Sequence, residues 1–229
     1  MFFDHKQVLE VSSFSTLVST QFQKENNAIC WSRNLHGNFK EIVEKLELKE
    51  DITEVSREDL MGLSLSEEGN IAREIILADI QLLSDFGASP TLNLLKKYQR
   101  DEEFDFISTD VYSYHVDRSP IEVDTYLCTY YGPASDILPQ DQAQQKILIP
   151  EIRAELKKIY DGPESEFDSF LKEFFFDLHY QAKPCAEPIN LGIGNLWRLA
   201  VDHPTQQVSP CIHRAPTEMN AECRLLLIC

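Results

Sequence analysis

His115 and Asp117 are separated by one residue, His213 lies 96 positions beyond Asp117, and Arg224 follows His213 by 11. Two imidazoles and one carboxylate form a donor set that grips iron(II) on one face and leaves positions open for a co-substrate and dioxygen. The same donors suit zinc or manganese, so donor type alone does not choose the metal. The arginine adds a planar, permanently charged fork that matches a carboxylate co-substrate. No other combination in the chain offers comparable chemistry. No serine sits in a G-x-S-x-G elbow and no Gly-rich phosphate loop appears. Gly192-Ile193-Gly194 is too short for a dinucleotide fingerprint and reads as a turn or bulge.

An H-x-D pair arises readily by chance, so its context carries the argument. On a strand, residues two apart project from one face, which lets His115 and Asp117 reach a single ion. The third ligand must then come from another strand. His213 is placed for this, between an apolar run and Arg214-Ala215-Pro216. Arg224 opens the aliphatic run Leu225–Ile228, where a guanidinium needs an anionic partner. His203, next to Asp202, is the second candidate for third ligand and ranks lower because Arg224 is spaced from His213. His5 and His36 are expected to be exposed, and His179 is expected to end an amphipathic helix, where its cation meets the helix dipole.

The elements that must position these groups change character near residue 105. Before it the pattern is mainly helical. Helices are expected over 37–47, 56–63, 70–86 and 91–99, with Ile71, Ile75, Ala78, Leu82 and Phe86 forming the stripe that faces the core. After it, 107–116 and 121–131 are rich in β-branched and aromatic residues, and short strands are expected again within 189–201, 207–213 and 223–229. An acidic, mostly helical insert occupies 141–182. The expected class is α+β. Residues 1–105 form a helical part packed on the outside of a C-terminal antiparallel sandwich or barrel at 106–229, the whole forming one structural unit.

The chain has 229 residues, 43% of them hydrophobic and 26% charged, which is an ordinary globular composition. A net charge of −17 argues against nucleic acid and against an anionic membrane surface as partners. No apolar stretch is long enough for a membrane span, and the N-terminus lacks the pattern of a signal peptide, so a cytoplasmic protein is expected. Six scattered cysteines with no C-x-x-C pair exclude a zinc ribbon and fit reduced thiols.

The order H-x-D, distal His, then Arg resembles the double-stranded β-helix (jelly-roll) superfamily of Fe(II)/2-oxoglutarate-dependent oxygenases over about residues 106–229. The resemblance implies His115, Asp117 and His213 as metal ligands and Arg224 as the partner of the 2-oxoglutarate carboxylate distal to the metal. It also implies Tyr131, in Thr129-Tyr130-Tyr131, as a co-substrate contact. The activity implied is Fe(II)- and 2-oxoglutarate-dependent hydroxylation of an unidentified substrate. The alternatives are a non-catalytic or zinc-filled binding protein on the same fold, and a cupin-like metalloenzyme that does not use 2-oxoglutarate. A second resemblance runs through AICWSRNL, YHVDRSP, CTYYGPAS, CIHRAP and RLLLIC, to an uncharacterised bacterial domain family that implies no activity. The 141–182 insert and the lack of a Lys-Gly-Glu-like turn before Trp197 depart from that family's pattern.

Overall fold

The computed structural model describes residues 5–217 and 222–229. Among these residues the chain is a mixed α+β structure built on two sheets. The larger has the order β1-β2-β11-β6-β13-β4-β3 and the smaller the order β10-β7-β12-β5-β9-β8. In the larger sheet lie β1 (Val8–Val11), β2 (Ala28–Trp31), β3 (Ile52–Glu54), β4 (Thr91–Leu95), β6 (Asp124–Tyr131), β11 (Leu196–Ala200) and β13 (Arg224–Ile228). The smaller holds β5 (Tyr114–His115), β7 (Asp136–Ile137), β8 (Ala143–Gln145), β9 (His179–Ala182), β10 (Ile189–Asn190) and β12 (His213–Arg214). From β4 onward the chain crosses repeatedly between them.

Two apolar layers follow from the two faces of the larger sheet. Its inner face contributes Leu127, Trp197, Leu199 and Leu226 to a cluster that also takes Ile137 from the smaller sheet. Its outer face contributes Cys128, Tyr130, Leu225 and Leu227 to a cluster shared with Leu17, Ile42, Leu60 and Ile76 of the helices. Those helices are α1 (Phe14–Ser19), α2 (Phe39–Lys45), α3 (Arg57–Gly62) and α4 (Glu67–Phe86). Alternation along β6 and β13 sorts side chains between the two layers. No helix among the described residues is long and apolar enough to cross a membrane. All six cysteines are free thiols, three of them buried.

Three expectations change on contact with the fold. The first hundred residues hold the four helices α1–α4 but do not only pack on the outside, since β1–β4 all join the larger sheet. Residues 91–99 start as a strand rather than a helix, because Thr91–Leu95 is hydrogen-bonded between β13 and β3 and pairing overrides a short helical pattern. The inward row of α4 is Ala72, Ile76, Asp79 and Leu83, while Ile71 and Phe86 are exposed. The helix has two adjacent apolar rows, and the inner one contains an aspartate, which disguised it.

Asp79 is tolerated there because it is matched. Arg33 places Nη1 2.6 Å from its Oδ1, and the Tyr130 hydroxyl donates to Oδ2 at 2.6 Å. Arg33 also donates to the carbonyl of Gly194 at 2.9 Å, tying α4 to the turn before β11. Ser66 caps the start of α4 and Gly87, with φ +99°, closes its end, donating its backbone N–H to the Leu83 and Ser84 carbonyls.

Removing one member of this buried pair strands the other. Asp79→Ala is therefore expected to lower the unfolding free energy by about 3–5 kcal/mol in urea titration. Adding Arg33→Met should cost less than the sum of the two single changes. A loss below about 1 kcal/mol for Asp79→Ala would place the pair among ordinary surface ion pairs.

Candidate metal centre

β5 and β12 are antiparallel neighbours, and His115 and His213 stand directly opposite each other in their register. Paired residues share a face, and here the two imidazole centroids are 4.6 Å apart. Their strand neighbours Tyr114, Val116 and Ile212 pack together in a separate cluster on the opposite face. Asp117 follows β5 by two residues, where its carbonyl accepts the Asp202 N–H at 2.8 Å. Its carboxylate turns toward both rings, Oδ1 3.9 Å from Nε2 of His115 and Oδ2 3.7 Å from Nε2 of His213. One ligand atom from each residue lies within 4.8 Å of the others.

The orientation of the rings is fixed from behind. Nδ1 of His115 is 2.8 Å from the carbonyl of Ser113, and Nδ1 of His213 is 3.2 Å from that of Cys211. A carbonyl only accepts, so each Nδ1 carries a proton and each Nε2 is the nitrogen left facing the shared space. Burial, reinforced by the neighbouring His213, pushes His115 down to about 4. Burial pushes the Asp117 carboxyl up, but His213, the Thr125 hydroxyl and His115 outweigh it and hold the group below its ordinary value. At neutral pH His115 is thus a neutral imidazole and Asp117 a carboxylate. That is the protonation a divalent cation needs, and the donor set fits one.

Sequence reasoning did not place Thr125, His179, Ser113 or Lys146 at the site. Thr125, on β6, donates its hydroxyl to Oδ2 of Asp117 at 2.5 Å, bracing the carboxylate from the larger sheet. Its parity with Leu127 on the inner face was the available signal. His179 follows a short 3-10 turn (Phe176–Leu178), begins β9 and pairs with His115 from the other side, so it does not end the expected amphipathic helix. Its Nδ1 lies 3.1 Å from the Ser113 hydroxyl, to which Lys146 also donates at 2.8 Å. Burial, then the charges of His115 and Lys146, push His179 down to about 3.

The other candidates separate clearly. His203 is engaged by Thr205 at 3.2 Å and Gln206 at 3.2 Å, outside the cluster. His36 is exposed, and partly exposed His5 accepts the Gln7 N–H at 3.2 Å. Arg224 is buried at 4% exposure, with Nη2 3.4 Å from the Ser135 hydroxyl at the entry to β7. Gly132 permits this placement: its φ is +82°, and a Cβ there would lie 2.9 Å from Cγ of Arg224. Tyr131 packs against the helix-side cluster and its hydroxyl donates to Glu222 at 2.7 Å, so the structure does not bring it to the triad.

The depressed histidines make stability acid-sensitive. Both have folded values below the unfolded value of about 6.5, so the unfolded chain binds more protons as pH falls through this window. Stability is full above about pH 6.5 and is expected to fall by about 3 kcal/mol or more by about pH 4. Urea titrations of the metal-free protein across this range check it, and His179→Gln should flatten the slope. A flat profile in the wild type would contradict the burial of these rings. Thr125→Val should weaken retention of a divalent metal about 10- to 100-fold, read by competition with a chelator, and unchanged affinity would contradict the brace. No protein-family model, curated protein or solved structure matches the chain.

Proposed function

We propose that the chain is an Fe(II)- and 2-oxoglutarate-dependent oxygenase on a jelly-roll fold. The observation that carries the reading is the convergence of His115, Asp117 and His213 with both Nε2 atoms turned toward the carboxylate. The strand orders support the fold, since β4, β13, β6 and β11 are successive neighbours in one sheet and β5, β12, β7 and β10 in the other. Facing four-stranded sets linked by repeated crossings are the arrangement of a double-sheet jelly roll.

His115, Asp117 and His213 would hold the iron, leaving one side of it open. With iron(II), 2-oxoglutarate and dioxygen bound, the chemistry supplied is hydroxylation: one oxygen atom enters a substrate C–H bond, the other ends in succinate, and carbon dioxide leaves. The residues of this chain do the rest. Ser113 and Cys211 carbonyls hold the imidazoles in one tautomer, and Thr125 orients the carboxylate. Arg224 stands on the same strand face as Leu226, which packs in the layer between the sheets, and its contact with Ser135 aims the guanidinium toward the smaller sheet. That position supports a role in clamping the far carboxylate of the co-substrate through a charge-assisted fork.

Calorimetry on anaerobic, iron-loaded protein is expected to detect 2-oxoglutarate binding, and succinate should form when oxygen is admitted. Arg224→Ala should weaken that binding about 10- to 100-fold while iron content is retained, as expected for losing a charged hydrogen-bonding fork. Arg224→Lys should weaken it less, because charge survives without the fork. No binding in the wild type, or unchanged binding in Arg224→Ala, would overturn the proposal in favour of a zinc-filled or co-substrate-independent site.

A further inference from the structure

A cleft of 610 Å³ opens beside the triad, between the end of α4 and the connection from β5 to β6. Asp117 and its partner Thr125 line it, so an occupant would approach the triad from its carboxylate side, with His115 and His213 lying outside the lining. Its size falls within the ~300–1,000 Å³ of small-molecule sites. The lining is unusual in two respects. Phe86 and Val123 both line it and remain 49% and 41% exposed, apolar area on offer at the mouth. Both guanidinium groups in the wall are already committed. Arg118 bonds Asp177 at 2.6 Å and Asp202 at 2.8 Å. Arg198 bonds Asp124 at 2.7 Å and donates to the carbonyls of Leu17, Val18 and Thr20.

Glu122 adds negative charge to the same wall, and Arg118 is matched by two carboxylates rather than one. An acidic occupant would therefore meet compensated arginines and surplus carboxylates, in a chain whose net charge is −17. A metal ion at the triad does not reverse this, because Asp117 and a dianionic co-substrate neutralise it. We infer that this cleft is the substrate site and that it selects a small molecule with an apolar body and a neutral or cationic head. This rests on the oxygenase reading for the chemistry performed, while the selectivity rests on the wall itself.

The test separates the two. Saturation-transfer NMR on metal-free protein compares benzyl alcohol, phenethylamine and benzenesulfonate, three aromatic probes differing in charge. Benzyl alcohol and phenethylamine are expected to bind and benzenesulfonate to bind at least tenfold more weakly. Val123→Glu, at an exposed position, should weaken benzyl alcohol at least tenfold, and Phe86→Ala should weaken it several-fold. With Mn(II) added, benzyl alcohol resonances should broaden in the wild type and lose that broadening in Val123→Glu. Benzenesulfonate binding as well as the others, indifference to both substitutions, or an absence of broadening with Mn(II) retained would overturn the inference. Failure to retain Mn(II) would instead overturn the metal reading, and the metal-free comparison would still decide the cleft's selectivity.

Discussion

The one-to-one register of β5 against β12 is the constraint on which the rest depends. It sets His115 opposite His213 across a single antiparallel pair, with nearly a hundred residues of chain between them. A slip of one residue would turn either imidazole into the outer layer occupied by Tyr114, Val116 and Ile212. The register is held from three sides. β9 pairs with β5 through His179 and β7 with β12 through Ile137, while outer-layer packing penalises the flipped alternative. The short strands of the smaller sheet are therefore positioned by their neighbours more than by their own length.

The larger sheet acts as the platform. Its inner face supplies Thr125 to the carboxylate and carries Arg224 on the strand beside it. Its outer face is braced by helices through a separate apolar layer and by the buried Asp79–Arg33–Tyr130 group. The two buried polar systems do opposite work. The helix-side group is internally matched and closed by its own hydrogen bonds. The triad turns two imidazole nitrogens and a carboxylate into one space.

The triad was legible because strand periodicity and residue chemistry both act over a few residues, and His115–Val116–Asp117 satisfies both. His213 was found by its relation to Arg224. Residues whose roles depend on distant partners were hidden: His179 looks like a helix end in a phenylalanine-rich segment, and only pairing with β5 makes it a strand residue beside the site. The inner row of α4 was misread because Asp79 breaks its apolar character, and its compensation by Arg33 comes from 46 residues away. Tyr131 lies apart from the triad for a reason the sequence does not display. A bulge where Leu225 and Leu226 pair with Tyr131 and Thr129 shifts the alternation, and Tyr131 packs on the helix side.

X-ray absorption spectroscopy on anaerobic Fe(II)-loaded protein tests the central claim most directly, because it reports the ligand atoms themselves. One iron per chain is predicted, with two imidazole nitrogens and carboxylate oxygen at about 2.0–2.2 Å. His213→Ala should retain no more than one imidazole. Iron that binds with no imidazole scattering, or with the same two imidazoles in His213→Ala, would contradict the account.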